Sequence, residues 1–229
     1  ALAGLPLLAL LAWPLLLARF GLVDGDIALL TRWVREVGIR WGRDAAHKAA
    51  LGLPAEPAHS WRWGLDRLLL GSILPAALAG DGYPLFAGLL PDNAAHGQLA
   101  ENLAALAALF ELLDGFARDW AQPATPAGWA LRLRSAIDSL LLIDEAAEPA
   151  LAKLADILAA LENDAALGGF DGEVGLAVIR DLIVRQLELP SSEGFLSGGL
   201  TFCAMVPMRA IPFRVLCLIG MNDGAYPRD

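Results

Sequence analysis

Apolar residues recur at steps of three and four along most of this chain, a spacing that lines one face of an α-helix and predicts a succession of them. The clearest case is Leu99, Leu103, Leu106, Phe110, Leu113, Phe116 and Trp120, which predicts a helix over 98–121. Ile27, Leu30, Trp33, Val34 and Val37 repeat the pattern over 26–37, where Asp24 or Asp26 can cap the start and Gly38 stop the end. Ser60 can cap a helix over 61–73 that turns Leu65, Leu68 and Leu69 inward. Thr125 and Pro126 have the order of an N-cap and a first helical residue, and the helix they open runs to about 143. Pro149 opens another, with Leu151, Leu154, Leu158 and Leu161 inward; Gly168 and Gly169 break it, and Asp171 caps a last helix over 173–187.

The first 18 residues carry no charge and are long enough to be weighed as a membrane span. Gly4, Pro6 and Pro14 interrupt them, no basic segment precedes them and Arg19 follows at once, so they read as two short buried helices hinged at Trp13 and Pro14. Residues 44–57 form a proline-bounded loop with room for one helical turn, 80–91 a Gly/Pro connection and 190–199 a linker. Then the pattern changes. The apolar runs 200–206 and 214–219 have the length and the Gly/Pro boundaries of buried strands, and they hold Cys203 and Cys217. The fold class expected is mostly α with a short β part: a helical bundle, 1–194, followed by a strand pair in 195–229.

A chain of 229 residues has room for one large domain or for pieces of two, and a 56% hydrophobic content supports a sizeable core. It starts at Ala1 and stops just past an apolar run and its turn, which leads to the expectation of a piece of a longer protein. The net charge of −9 disfavours indiscriminate attraction to nucleic acid. The distribution changes that picture. Residues 32–67 hold seven basic side chains against four acidic ones, which leaves −12 for the remainder, and they hold four of the seven tryptophans.

Arginines can position phosphates while tryptophans stack on unpaired bases, a combination suited to single strands. On that reading Arg40, Trp41, Trp61 and Arg62 are the candidate DNA-binding residues. The competing reading makes Trp33, Trp41, Trp61 and Trp63 core anchors whose arginines cap or pair with Glu36, Asp44 and Asp66. His47, His59 and His96 stand in separate loops or helix ends without an i, i+4 partner, a pattern of surface or capping residues and not of metal ligands. The cysteines lack CxxC spacing and fit buried thiols in a reducing, cytoplasmic setting. Asp144, Glu145, Glu162 and Asp164 read as solvated helix ends. A Walker A loop is missing, so this stretch cannot hold ATP phosphates by that route.

The end of the chain carries the most specific pattern. Ala204, Val206, Arg209, Ala210 and Pro212 stand where UvrD-type superfamily 1 helicases have the threonine, histidine, lysine, glycine and glutamate of T-x-H-x-x-K-G-L-E-F. The apolar frame is kept and the polar working residues are lost. A loop that makes and breaks hydrogen bonds needs a hydroxyl, a flexible glycine and a carboxylate, which alanine and proline do not supply. The degenerate form VPMRAIPFRVLCLIGMNDGAYPR at 206–228 resembles the RecC family, the gamma subunits of exodeoxyribonuclease V. The segments WVREVGIRWGRD at 33–44 and HSWRWGLDRLLLG at 59–71 are similar to that family too, whereas 72–194 agrees in order and spacing alone.

The resemblance implies a helical 2B-like insertion over 1–194 and, over 195–229, the start of a degenerate second RecA-like domain. It implies a non-catalytic, helicase-like subunit beside a RecB-like helicase/nuclease and a RecD-like helicase. Together they would process double-stranded DNA ends, with ATP and magnesium used by the partners, no cofactor here and no membrane. Arg209 and Arg228 become further candidate DNA contacts, in the loop that resembles the DNA-facing motif. The alternatives are a fragment of an active UvrD-type ATP-dependent helicase, which calls for the missing lysine-glycine-glutamate loop, and a bundle that binds only partner subunits.

Overall fold

Capping side chains set where several helices begin. In the computed structural model, which describes residues 8–74, 85–94, 99–188, 215 and 217–219, eight α-helices follow a single 3₁₀ turn at Leu10–Ala12. They are α1 (Pro14–Arg19), α2 (Asp24–Glu36), α3 (Ala45–Ala50), α4 (Trp61–Ile73), α5 (Ala100–Asp119), α6 (Pro126–Leu140), α7 (Glu148–Leu167) and α8 (Leu176–Glu188). Ser60 Oγ accepts the N–H of Trp63 at the start of α4, and Thr125 Oγ1 accepts that of Gly128 at the start of α6. Asp26 reaches back from the first turn of α2 to the N–H of Val23. Contacts divide the chain into two units, Ala1–Glu188 and Leu189–Asp229.

The first unit holds two cores. In the larger, α1, α2, α4 and α5 close around Leu30, Trp33, Trp61, Leu68, Leu106 and Phe110, all fully buried. Small residues let α4 lie against its neighbours. A side-chain carbon at Gly71 would sit 2.0 Å from the carbonyl oxygen of Asp92, and one at Gly64 would sit 2.2 Å from Ile39. Arg67 ties the same helix down. Its guanidinium donates to the carbonyls of Val37 (2.9 Å) and Leu90 (2.7 Å) and faces Asp92 at 3.5 Å, while Asp92 N–H returns a bond to Arg67 O. The smaller core joins α6, α7 and α8 through Trp129, Leu161 and Ile179.

The mostly helical class expected from the sequence is what the described residues show. The differences have local causes. The helix expected to reach 143 ends at Leu140 because Leu141 turns extended and Leu142 N–H bonds to Leu15 O at 3.0 Å. The last helix starts at Leu176 instead of 173, because Val174 pairs with Ala124 in both directions and its carbonyl also accepts the indole N–H of Trp129. Glu162 is not a solvated helix end: Arg134 holds both its oxygens, at 2.7 and 2.9 Å.

Of the run 214–219, Val215, Cys217, Leu218 and Ile219 have no regular secondary structure and are exposed, Cys217 included. The run 200–206 with Cys203 lies outside the described residues. Within those residues no helix is long and apolar enough to cross a membrane.

Candidate nucleic-acid interface

Two short segments, 40–43 and 59–62, lie side by side and bring the four sequence-predicted residues of the first unit together. Arg40 and Trp41 both donate their backbone N–H to His59 O (2.9 and 3.3 Å), Trp61 N–H donates to Gly42 O (3.0 Å) and Arg62 N–H to Arg43 O (2.9 Å). His59 occupies a left-handed backbone conformation with φ of 64°, uncommon for a residue with a side chain. Its ring is held in turn: Nδ1 lies 2.8 Å from Gly38 O, and the ring packs tilted on Trp63 at 5.4 Å between centroids.

From this frame the side chains part in two directions. Trp61 goes inward, fully buried and stacked on Phe110 at 5.8 Å and 17°. Arg62 lies over the same ring and grips both oxygens of Glu111, with Asp114 at 3.8 Å. Asp114, almost fully buried, also takes a hydrogen bond from Arg43 (3.1 Å) and one from Arg118. Trp61 is thus part of the core, and Arg62 is paired with Glu111 and Asp114, not with Asp44 or Asp66.

Arg40 and Trp41 lie outside the core. Arg40 is exposed, and its guanidinium has no hydrogen bond or ion pair among the described residues. Trp41 is partly buried, with the ammonium of Lys48 5.3 Å from its ring; Lys48 is itself anchored on Ala58 O at 2.7 Å. Close by, Trp63 is partly buried with the Arg67 guanidinium 4.7 Å above its ring. The rim thus offers an unpaired guanidinium and two indoles that are each partly open, one beside an ammonium and one beneath a guanidinium. Such a surface can hold phosphates by charge and flat rings by stacking. Arg209 and Arg228 lie outside the described residues.

Titration behaviour follows the same division. The hydrogen bonds from Arg62 hold the Glu111 carboxyl below the usual carboxylate range and keep Arg62 itself more firmly protonated. Asp66 is pushed up by burial, and His47 is pushed down by burial and by neighbouring Arg43. Sequence reasoning missed His59 and Asp114. Asp114 was findable, because it stands four residues after Phe110 on the apolar stripe of its helix, where a lone acid signals a buried acceptor.

Known proteins decide the family. A sequence model of the RecBCD enzyme subunit RecC fourth domain matches residues 5–191. The chain belongs to the RecC family. It is 36% identical over 223 residues to the RecBCD enzyme subunit RecC of Escherichia coli K12, covering 97% of this chain and 19% of that RecC. The RecC of Mycobacterium tuberculosis H37Rv is 34% identical over 214 residues, 92% of this chain and 19% of that one. For Haemophilus influenzae RecC the identity is 32% over 228 residues, 96% of this chain and 19% of the relative. The chain therefore spans about a fifth of the length of these RecC proteins.

Proposed function

We propose that this chain is part of a non-catalytic, helicase-like subunit of a RecBCD-type helicase and nuclease, and that its role is to hold DNA. On this reading it helps separate the strands at a duplex end and guides the 3′-ended strand during double-strand-break repair and recombination, in the cytoplasm. The ATP-driven and nucleolytic chemistry, with its magnesium, belongs to RecB-type and RecD-type partners. Residues 1–194 would be the 2B-like insertion. Residues 195–229 would open a degenerate RecA-like domain with a short strand pair, in which Arg209 and Arg228 face DNA.

The observation that carries the DNA-holding part is the unpaired, exposed Arg40 beside Trp41. Of the other arginines in 32–67, Arg43, Arg62 and Arg67 each have a carboxylate partner and Arg32 lies 3.9 Å from Glu36, whereas Arg35 is open like Arg40 but has no indole next to it in the sequence. An open guanidinium followed in the chain by a partly open indole supplies the charge and the stacking face that a single strand needs. The test is binding of a fluorescent single-stranded oligonucleotide across a salt series. Arg40→Ala should weaken binding by roughly three- to tenfold and reduce the salt slope by about one ion. Arg62→Ala should leave binding by the folded protein intact. Salt-insensitive binding, or equal effects of the two substitutions, would sink the assignment.

A further inference from the structure

We infer that the tip formed by the α7–α8 connection is a docking surface for a protein whose matching face is basic and carries apolar pockets. Leu167 at the end of α7 is 87% exposed, Phe170 in the connection 51% and Val178 in the first turn of α8 57%. Three large apolar side chains are thus exposed within twelve residues, on the end of one helix, the connection and the start of the next.

The tip is held, not loose. Phe170 N–H bonds to Ala165 O at 2.8 Å, Val174 pairs with Ala124, and Trp129 Nε1 donates to Val174 O at 2.7 Å. A patch presented on fixed backbone loses little entropy when it is covered.

Charge selects the occupant. Residues 141–188 hold ten acidic side chains against three basic ones, a net of −7 out of the chain's −9. Around the tip, Asp164, Asp171 and Glu173 are exposed and make no ion pair among the described residues, and Arg180 is the one base within 160–180. This field repels nucleic acid and an anionic bilayer. A protein face with a basic rim is attracted by it, and apolar pockets on that face would take up the exposed leucine and phenylalanine.

The test uses the RecB-type and RecD-type subunits as probes, and to that extent rests on the proposed function. Each is titrated onto the 229-residue chain by light-scattering chromatography and interferometry over a salt series. Leu167→Ser/Phe170→Ser should weaken binding at least tenfold with an unchanged melting temperature. Asp164→Asn/Asp171→Asn/Glu173→Gln should weaken it and flatten its salt dependence. Binding by both variants as tight as by the parent chain overturns the inference, and so does a parent chain that binds neither subunit. In that last case Arg40-dependent oligonucleotide binding would still stand, so failure of the surface and failure of the DNA-holding role read differently. Two further outcomes overturn it: a fall of several degrees in melting temperature for the serine variant, which would make the patch part of the chain's own packing, and self-association of the parent that the serine variant abolishes.

Discussion

Asp114 shows how much can hang on one side chain. Its carboxylate is buried with Arg43, Arg62 and Arg118 around it, so it ties 43, α4 and α5 together at a single point. Removing one partner of a buried pair costs more than the pair contributes, because the remaining charge is stranded. Asp114→Asn is expected to lower urea stability by roughly 2–4 kcal/mol. Arg62→Ala should cost only about 1 kcal/mol, since its partner Glu111 is more than half exposed and buried Asp114 keeps Arg43 and Arg118. Acid titration separates the neighbouring carboxyls. Glu111, whose folded pKa is depressed, gives stability that is present above its usual range and lost as pH falls through the folded value. For Asp66, raised by burial, the contribution is present at low pH and lost as pH rises. Melting curves should therefore show Asp66→Asn higher than the parent at pH 7 and Glu111→Gln lower, each by about 1–2 °C, with both differences closing toward pH 3.

Among the elements, glycines separate packing from propensity. Gly115 lies within α5 with nothing within 4 Å of an added side-chain carbon, so Gly115→Ala should stabilise by about 0.5–1 kcal/mol. Gly71 would gain the same propensity, but its added carbon meets the backbone of Asp92, which cannot swing aside, and overpacking costs about 1–3 kcal/mol. Gly71→Ala should be net destabilising in the same urea measurement. Helices were the legible part of this sequence, because Ser60, Thr125 and the three-and-four spacing act within a few residues of each other. Their ends at Leu140 and Leu176 were not, since Leu15 and Ala124 set them from far along the chain. The candidate site was half legible for the same reason. Arg40 and Arg62 look alike in sequence, and only α5, which brings Glu111 and Asp114, separates them.

Across the first unit the two cores are unequal. The larger has Trp33, Trp61 and Phe110 fully buried together with eight or more aliphatic side chains, whereas the smaller has three buried residues, Trp129, Leu161 and Ile179. Local opening follows buried contact density, so native-state hydrogen exchange should protect α4 and α5 more strongly than α7 and α8. Equal protection along all four helices would mean that the unit opens as one. The joint between 40–43 and 59–62 adds a constraint of another kind. His59 needs a left-handed backbone, and Gly38, itself left-handed at φ 86°, has its alpha carbon facing the imidazole. Inheritance of this rim is thus a two-letter rule: related sequences that keep the indoles at 41 and 63 should carry glycine at 38 and histidine, asparagine, aspartate or glycine at 59, and a valine or isoleucine at either place should coincide with loss of the tryptophans.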